Sequence, residues 1–170
     1  MSVSFLGKLF RQKPDPLLER AQSLVPFASV NSVGMLSPLV ERFSVLREAD
    51  LEHWHFIVTV AGVFMAATRL NNLDLGETRE GKLMDLVTER LHEWDPDGLR
   101  GFDDCKRLFE SEFDRLTAAG HEPRFVASDA VGMWIVSNVL GRPPHTDEEC
   151  MLVRATGVMV THTFFDWWNT

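Results

Sequence analysis

Residues 50–70 read DLEHWHFIVTVAGVFMAATRL. From Phe56 to Thr68 no side chain is ionisable, so a helix built from this stretch has no face that suits permanent contact with water. Other segments must wrap it. A membrane span needs about 20 apolar residues in succession. This run is shorter, with Glu52 before it and Arg69 after it, and fits a buried core helix better. Phe56 to Val60 also has strand character, but Asp50 supplies an N-cap and Asn71-Asn72 a stop about 20 residues later, a length that selects helix.

The surrounding chain is long enough to do the wrapping. Its 170 residues suit one domain whose core needs no covalent staple, and 45% apolar with 25% charged residues is ordinary for a folded protein. Cys105 and Cys150 form no close-spaced pair, which argues against a disulfide framework or a zinc knuckle and points to a reducing, cytoplasmic setting. The N-terminus lacks the charge-then-apolar order of a secretory signal. A net charge of −8 disfavours nucleic acid and is more compatible with a neutral or basic protein partner.

That charge is unevenly spread. Residues 1–14 hold Lys8, Arg11 and Lys13 and no acid, so they carry +3 and the remainder −11. The chain therefore divides into an arm, 1–14, and a domain, 15–170. In the arm Phe5, Leu6, Leu9 and Phe10 fall at helical spacing among the basic residues. Such a segment suits weak contact with an anionic membrane or a partner's groove through residues 1–13, or else a frayed end or an arm folded onto its own domain.

Pro14-Asp15-Pro16 starts the domain, with Asp15 as N-cap and Pro16 at the first helical position. A short helix is expected to about Val25, stopped by Pro26; Ala28 to Met35 reads as loop or short helix, and Ser37-Pro38 repeats the start signal ahead of Leu39, Val40, Phe43 and Leu46. Beyond the central helix, Glu77 to Trp94 carries Leu83, Leu86, Val87, Leu91 and Trp94 on one side. Asp95-Pro96-Asp97-Gly98 is a turn, and Phe102 to Ala119 a helix closed by Gly120 with Cys105 on its core side. Ser128 to Leu140 has no charge after Asp129 and ends at Gly141. Thr146-Asp147-Glu148-Glu149 matches a capping box opening a last helix towards Trp168. The expectation is an all-α, single-domain bundle of about six or seven helices around Asp50 to Leu70.

Each apolar helix has a glycine near its middle: Gly62, Gly132 and Gly157. Each costs about 1 kcal/mol against alanine, which close approach of helix backbones would offset. A ligand lying against the glycines is the alternative.

Candidate chemistry is sparse. Glu52-His53-Trp54-His55 and Glu89-Arg90-Leu91-His92 both spell Glu-x-x-His, an element of di-iron bundles, so Glu52, His55, Glu89 and His92 are the candidate ligands for a di-metal or single metal site. On a helical wheel His92 falls nearly opposite Leu83, Val87 and Leu91, and Glu89 lies well off their face. His55 and His162 are the histidines on the most apolar helices and suit a core role or a metal or haem ligand. No phosphate loop, nucleophile elbow or zinc-protease helix is present. The most unusual surface candidate is Phe164, Phe165, Trp167 and Trp168, four aromatics that a terminal helix can bury only in part, the remainder being suited to a partner hot spot. The sequence therefore favours a non-catalytic cytoplasmic interaction module of adaptor, assembly-factor or inhibitor type, without a cofactor, over a metal- or cofactor-binding bundle or a peripheral membrane protein held by the arm.

Overall fold

The computed structural model describes residues 15–169, so the arm residues Phe5, Leu6, Lys8, Leu9, Phe10 and Arg11 lie outside the described residues. Six helices follow one another, α1 (Pro16–Arg42), α2 (Leu51–Leu70), α3 (Glu77–Trp94), α4 (Gly98–Ala118), α5 (Pro123–Leu140) and α6 (Asp147–Phe164), with a 3-10 turn at Ser44–Glu48. There is no strand among the described residues, and the fold is all-α.

α2 is the enclosed rod expected from its composition. Asp50 caps it, its Oδ1 accepting from the amides of Glu52 at 2.9 Å and His53 at 3.2 Å. Every residue from Ile57 to Ala67 is buried, and α2 packs against all five other helices. A polar stitch joins it to α1: Trp54 Nε1 donates to the Ser32 carbonyl at 3.0 Å, and His55 Nε2 lies 2.9 Å from Ser29 Oγ. Thr59, buried in the middle of this apolar helix, satisfies its hydroxyl on the His55 carbonyl at 2.7 Å.

α1 corrects the sequence reading. It does not stop at Pro26 or restart at Ser37-Pro38; one helix runs through both prolines, and Ala28 to Met35 is helical throughout. An internal proline removes a hydrogen bond and costs about 3 kcal/mol or more. Pro26 and Pro38 are exposed, however, and so are Gln22 and Gly34, the residues whose carbonyls lose a donor, so water is at hand to replace it. Against this stands an unbroken stripe of Ala21, Leu24, Val25, Ala28, Ser32, Met35 and Leu39 buried on α2 and α3. Each larger member contributes about 1.5–3 kcal/mol when fully buried, enough together to outweigh both prolines.

Three boundaries also shift. α4 begins at Gly98 rather than Phe102, because the Asp95 to Gly98 turn leads straight into the helix and a Cβ on Gly98 would lie 2.7 Å from the Leu91 carbonyl. α5 starts at Pro123, which occupies the first helical turn, not at Ser128. α6 ends at Phe164, where the chain turns so that Trp168 Nε1 can donate to the Ala66 carbonyl at 2.8 Å.

The α5–α6 pair explains two of the three glycines. A Cβ on Gly132 would lie 2.0 Å from the Val153 carbonyl oxygen, and one on Gly157 would lie 1.8 Å from that of Ser128. Backbone fills the space beside both, and the Phe164 ring fills that beside Gly62, at 2.5 Å from a Cβ there. The protein itself thus occupies the positions where the alternative reading placed a ligand. The loop feeding α6 is clamped by Glu149, which is buried: Arg142 donates to its two oxygens at 2.6 and 3.1 Å, and the amides of His145 and Thr146 donate to Oε2 at 2.8 and 3.3 Å. The Thr146 hydroxyl accepts from the Glu149 amide, completing the capping box. The Arg142 hydrogen bonds first, then the backbone donors, pull the Glu149 carboxyl down to about 2.

Packing this close has measurable consequences. Gly157→Ala is expected to destabilise the fold by about 3 kcal/mol or more in urea unfolding, since backbone cannot yield as a flexible side chain does. Gly34→Ala, with nothing within 4 Å of its Cβ, should instead stabilise by up to about 1 kcal/mol. For Glu149 the folded pKa is depressed, so its contribution is complete above the unfolded carboxyl range near about 4.3 and is lost as pH falls toward about 2. The stability gap between the wild type and Glu149→Gln should accordingly be widest near neutral pH and narrow below pH about 4.

Candidate protein-docking surface

α1 and α6 flank α2 on two shoulders and meet one another only marginally, which leaves a seam between them. Its α1 wall is formed by Asn31, Gly34, Met35, Pro38, Leu39 and Arg42, while Val30 and Val33 are exposed elsewhere on the helix. The α6 wall presents Met151 and Val158. Only 33% of the residues in the most apolar stretch of α1 are buried. By length and composition alone α1 would suit a membrane span, but its Leu24, Val25 and Ala28 stripe is committed to the bundle.

Two depressions run along the seam. One, of about 520 Å³, lies between Asn31, Gly34 and Met35 on α1 and Val158, Met159 and His162 on α6. The other, of about 440 Å³, continues it between Pro38, Leu39 and Arg42 and Met151, Arg154 and Ala155. Gly34 has no neighbour for a Cβ, so the groove floor there is open backbone.

The charge of the seam differs from that of the chain. Acids outnumber Lys and Arg by 25 to 17 overall, yet the two depressions are lined by Arg42, Arg154 and His162 and by no Asp or Glu. Arg154 is held by both oxygens of the buried Asp129 and lies 4.2 Å from the Phe125 ring centroid. The Asp129 hydrogen bonds raise the Arg154 guanidinium above its ordinary value.

The terminal aromatics divide. Phe164 is 1% exposed, set between Gly62 and the Phe27 ring, whose centroid is 5.8 Å away. Trp168 is buried, and Trp167 is half-buried with its Nε1 unpartnered and its carbonyl accepting from Arg20. Phe165, 52% exposed, is the one of the four presented to solvent, under the Arg69 guanidinium at 4.2 Å.

The metal candidates are not brought together. His55 turns toward Ser29 on α1 and meets the Trp94 ring edge-on at 5.8 Å, while Glu52, Glu89 and His92 are exposed. His162 is exposed on the seam side of α6. Among the described residues no group of three or more His, Cys, Asp and Glu is placed to hold a metal ion. Cys105 is buried and desolvation drives its thiol well up, as suits a small core residue, whereas Cys150 is exposed.

The seam is what sequence reasoning missed. With Ala21 to Leu39 read as one stripe, Gly34, Pro38 and Arg42 follow at i+4 spacing along its edge, and only the placement of α6 makes that edge a groove wall.

No protein-family model, no curated protein and no solved structure matches this chain.

Substitutions separate the core aromatics from the presented one. Phe164→Ala should cost about 3–5 kcal/mol in chemical unfolding, and Phe165→Ala should fall within about 0.5 kcal/mol of wild type.

Proposed function

We propose that the protein is a non-catalytic cytoplasmic interaction module that receives an acidic amphipathic helix of a partner protein in the α1–α6 seam. The observation that carries this is the groove itself, where exposed Pro38 of α1 faces exposed Met151 and Val158 of α6 over a floor that includes Met35 and Leu39. An apolar helix face needs cover, and a groove between two helical walls takes a helix through anchors at i, i+3, i+4 and i+7. From Met151 to His162 the groove spans about 17 Å at 1.5 Å per residue, about three turns of a guest helix. Chain-wide charge favours a basic or neutral partner, but a docked helix meets the local lining, which holds no Asp or Glu and where Arg42 has no carboxylate partner among the described residues while Arg154 is paired with Asp129, and this favours an acidic guest face. The two free thiols accord with a reducing compartment.

The test uses two synthetic 18-residue helices that share one leucine stripe and differ in having a Glu-rich or a Lys-rich polar face. In fluorescence anisotropy the acidic helix is expected to bind the full chain at least about tenfold more tightly than the basic one. Met151→Glu with Val158→Glu, both at exposed positions in the groove, should abolish binding while leaving the helical circular dichroism intact. Failure of both helices to bind, or binding untouched by the double substitution, would overturn the proposal.

A further inference from the structure

A second concavity, of about 530 Å³, opens between the end of α2, the first turns of α5 and the C-terminal half of α6. That volume lies within the range of small-molecule sites, about 300–1,000 Å³. Its apolar lining comes from separate elements: Met65 of α2, Phe109 of α4, Phe125 of α5 and Phe164 of α6. Ser128 and Thr161 add one polar spot, their hydroxyls 2.9 Å apart.

Cationic groups gather on this apolar lining. Arg69 and Arg124 both line the cleft, with His162 beside them and Asp166 as the one carboxylate. Arg124 is shared with Glu122 at 2.7 Å. Arg69 pairs with no carboxylate among the described residues, whereas Arg79, Arg90, Arg107, Arg115, Arg142 and Arg154 each do. Its site at the last turn of α2 favours the helix dipole, which engages only part of a guanidinium with five donors. The first turn of α5 also faces this cleft, and its N-cap residue, Glu122, makes no side-chain capping bond. Pro123 has no amide hydrogen, the Phe125 amide donates to the Glu122 carbonyl at 2.9 Å and Arg124 is paired, so Arg69 is the cleft's guanidinium without a carboxylate partner among the described residues.

We propose that this cleft binds a medium-chain aliphatic carboxylate, its head on Arg69 and its chain along Phe109, Val158 and Phe165, over Met65. An uncharged alcohol of the same length would satisfy the floor and leave Arg69 unanswered; inorganic phosphate would do the reverse. The carboxylate answers both. This site does not depend on the seam reading, since the seam and the cleft share only Val158 and His162.

The experiment titrates decanoate, and in parallel decan-1-ol, into full-length protein carrying 13C-labelled methionine methyl groups. Met65 lies in the cleft, while Met151 and Met159 lie in the seam and report the wrong site. Decanoate should move the Met65 methyl and leave Met151 in place, and decan-1-ol should bind about tenfold more weakly, as loss of a charge-assisted hydrogen bond implies. Arg69→Gln should weaken decanoate by a similar factor and Arg69→Lys by less, with both variants judged folded by circular dichroism, and Asp166→Asn should tighten it. A silent Met65, movement at Met151 instead, or decan-1-ol binding as well as decanoate would overturn the proposal. Binding of the acidic helix by Arg69→Gln should match wild type, so failure here is distinct from failure of the seam.

Discussion

Thirteen consecutive residues without a charge, Phe56 to Thr68, oblige the rest of this chain to form a sleeve. A helix whose whole circumference is apolar loses burial wherever one neighbour is missing, so five helices pack on α2. The geometry of that sleeve sets the surface. A helix with its side chains is about 10 Å across. Two helices resting on different shoulders of α2 are therefore held apart by α2 itself, as α1 and α6 are. The seam between them is a consequence of the enclosure.

What keeps α6 in its place is a contact of a different kind. Gly132 and Gly157 allow the α5 and α6 backbones to meet so closely that the Ser128 and Val153 carbonyls occupy the positions of the missing Cβ atoms. Close backbone approach gives each helix more partner atoms per residue than bulky side chains would permit, and dispersion adds over them. The same two helices are joined at one end by the Glu149 clamp and along their length by Asp129 on Arg154. Position is thus fixed by backbone shape and by two carboxylates that would be costly to leave unpaired. α1 has no comparable lock on α6, and its polar stitch to Trp54 and His55 binds it to α2 instead.

Much of this was legible locally. Asp15, Asp50 and Thr146 cap helices where their side chains and following residues predict it, and Glu77 to Trp94 has the limits its apolar spacing gives. These signals act over a few residues and owe nothing to distant chain. Pro26 and Pro38 misled because a proline ends a helix only where nothing outweighs the hydrogen bond it removes. Here tertiary burial of a seven-residue stripe exceeds that loss, and only the partner helix reveals it. For the Glu-x-x-His pairs the helical wheel already sets His92 opposite the buried face, and the structure agrees. Their spacing satisfies a motif, but the side on which α3 buries Leu83, Val87 and Leu91 places His92 outside. The seam was not legible, since it is made by walls more than a hundred residues apart in the chain, Leu39 and Met151 among them.

Net charge is the remaining quantity that sequence states and structure redistributes. The acids of this chain sit mostly on exposed helix faces and at helix starts, where they are solvated or paired with an arginine three residues away. Such charges are screened within about 10 Å at ordinary ionic strength. A ligand in the seam or in the α2–α5–α6 cleft therefore meets Arg42 or Arg69 at contact distance, while Arg154 and Arg124 are already paired with Asp129 and Glu122 and most of the remaining acids act only through screening water. The sum of −8 governs long-range approach and solubility; the sign at each concavity is set by the few residues that line it. Both concavities share Val158 and His162 on α6, so that helix presents one outward face to a groove sized for a helix and a cleft sized for a small acid.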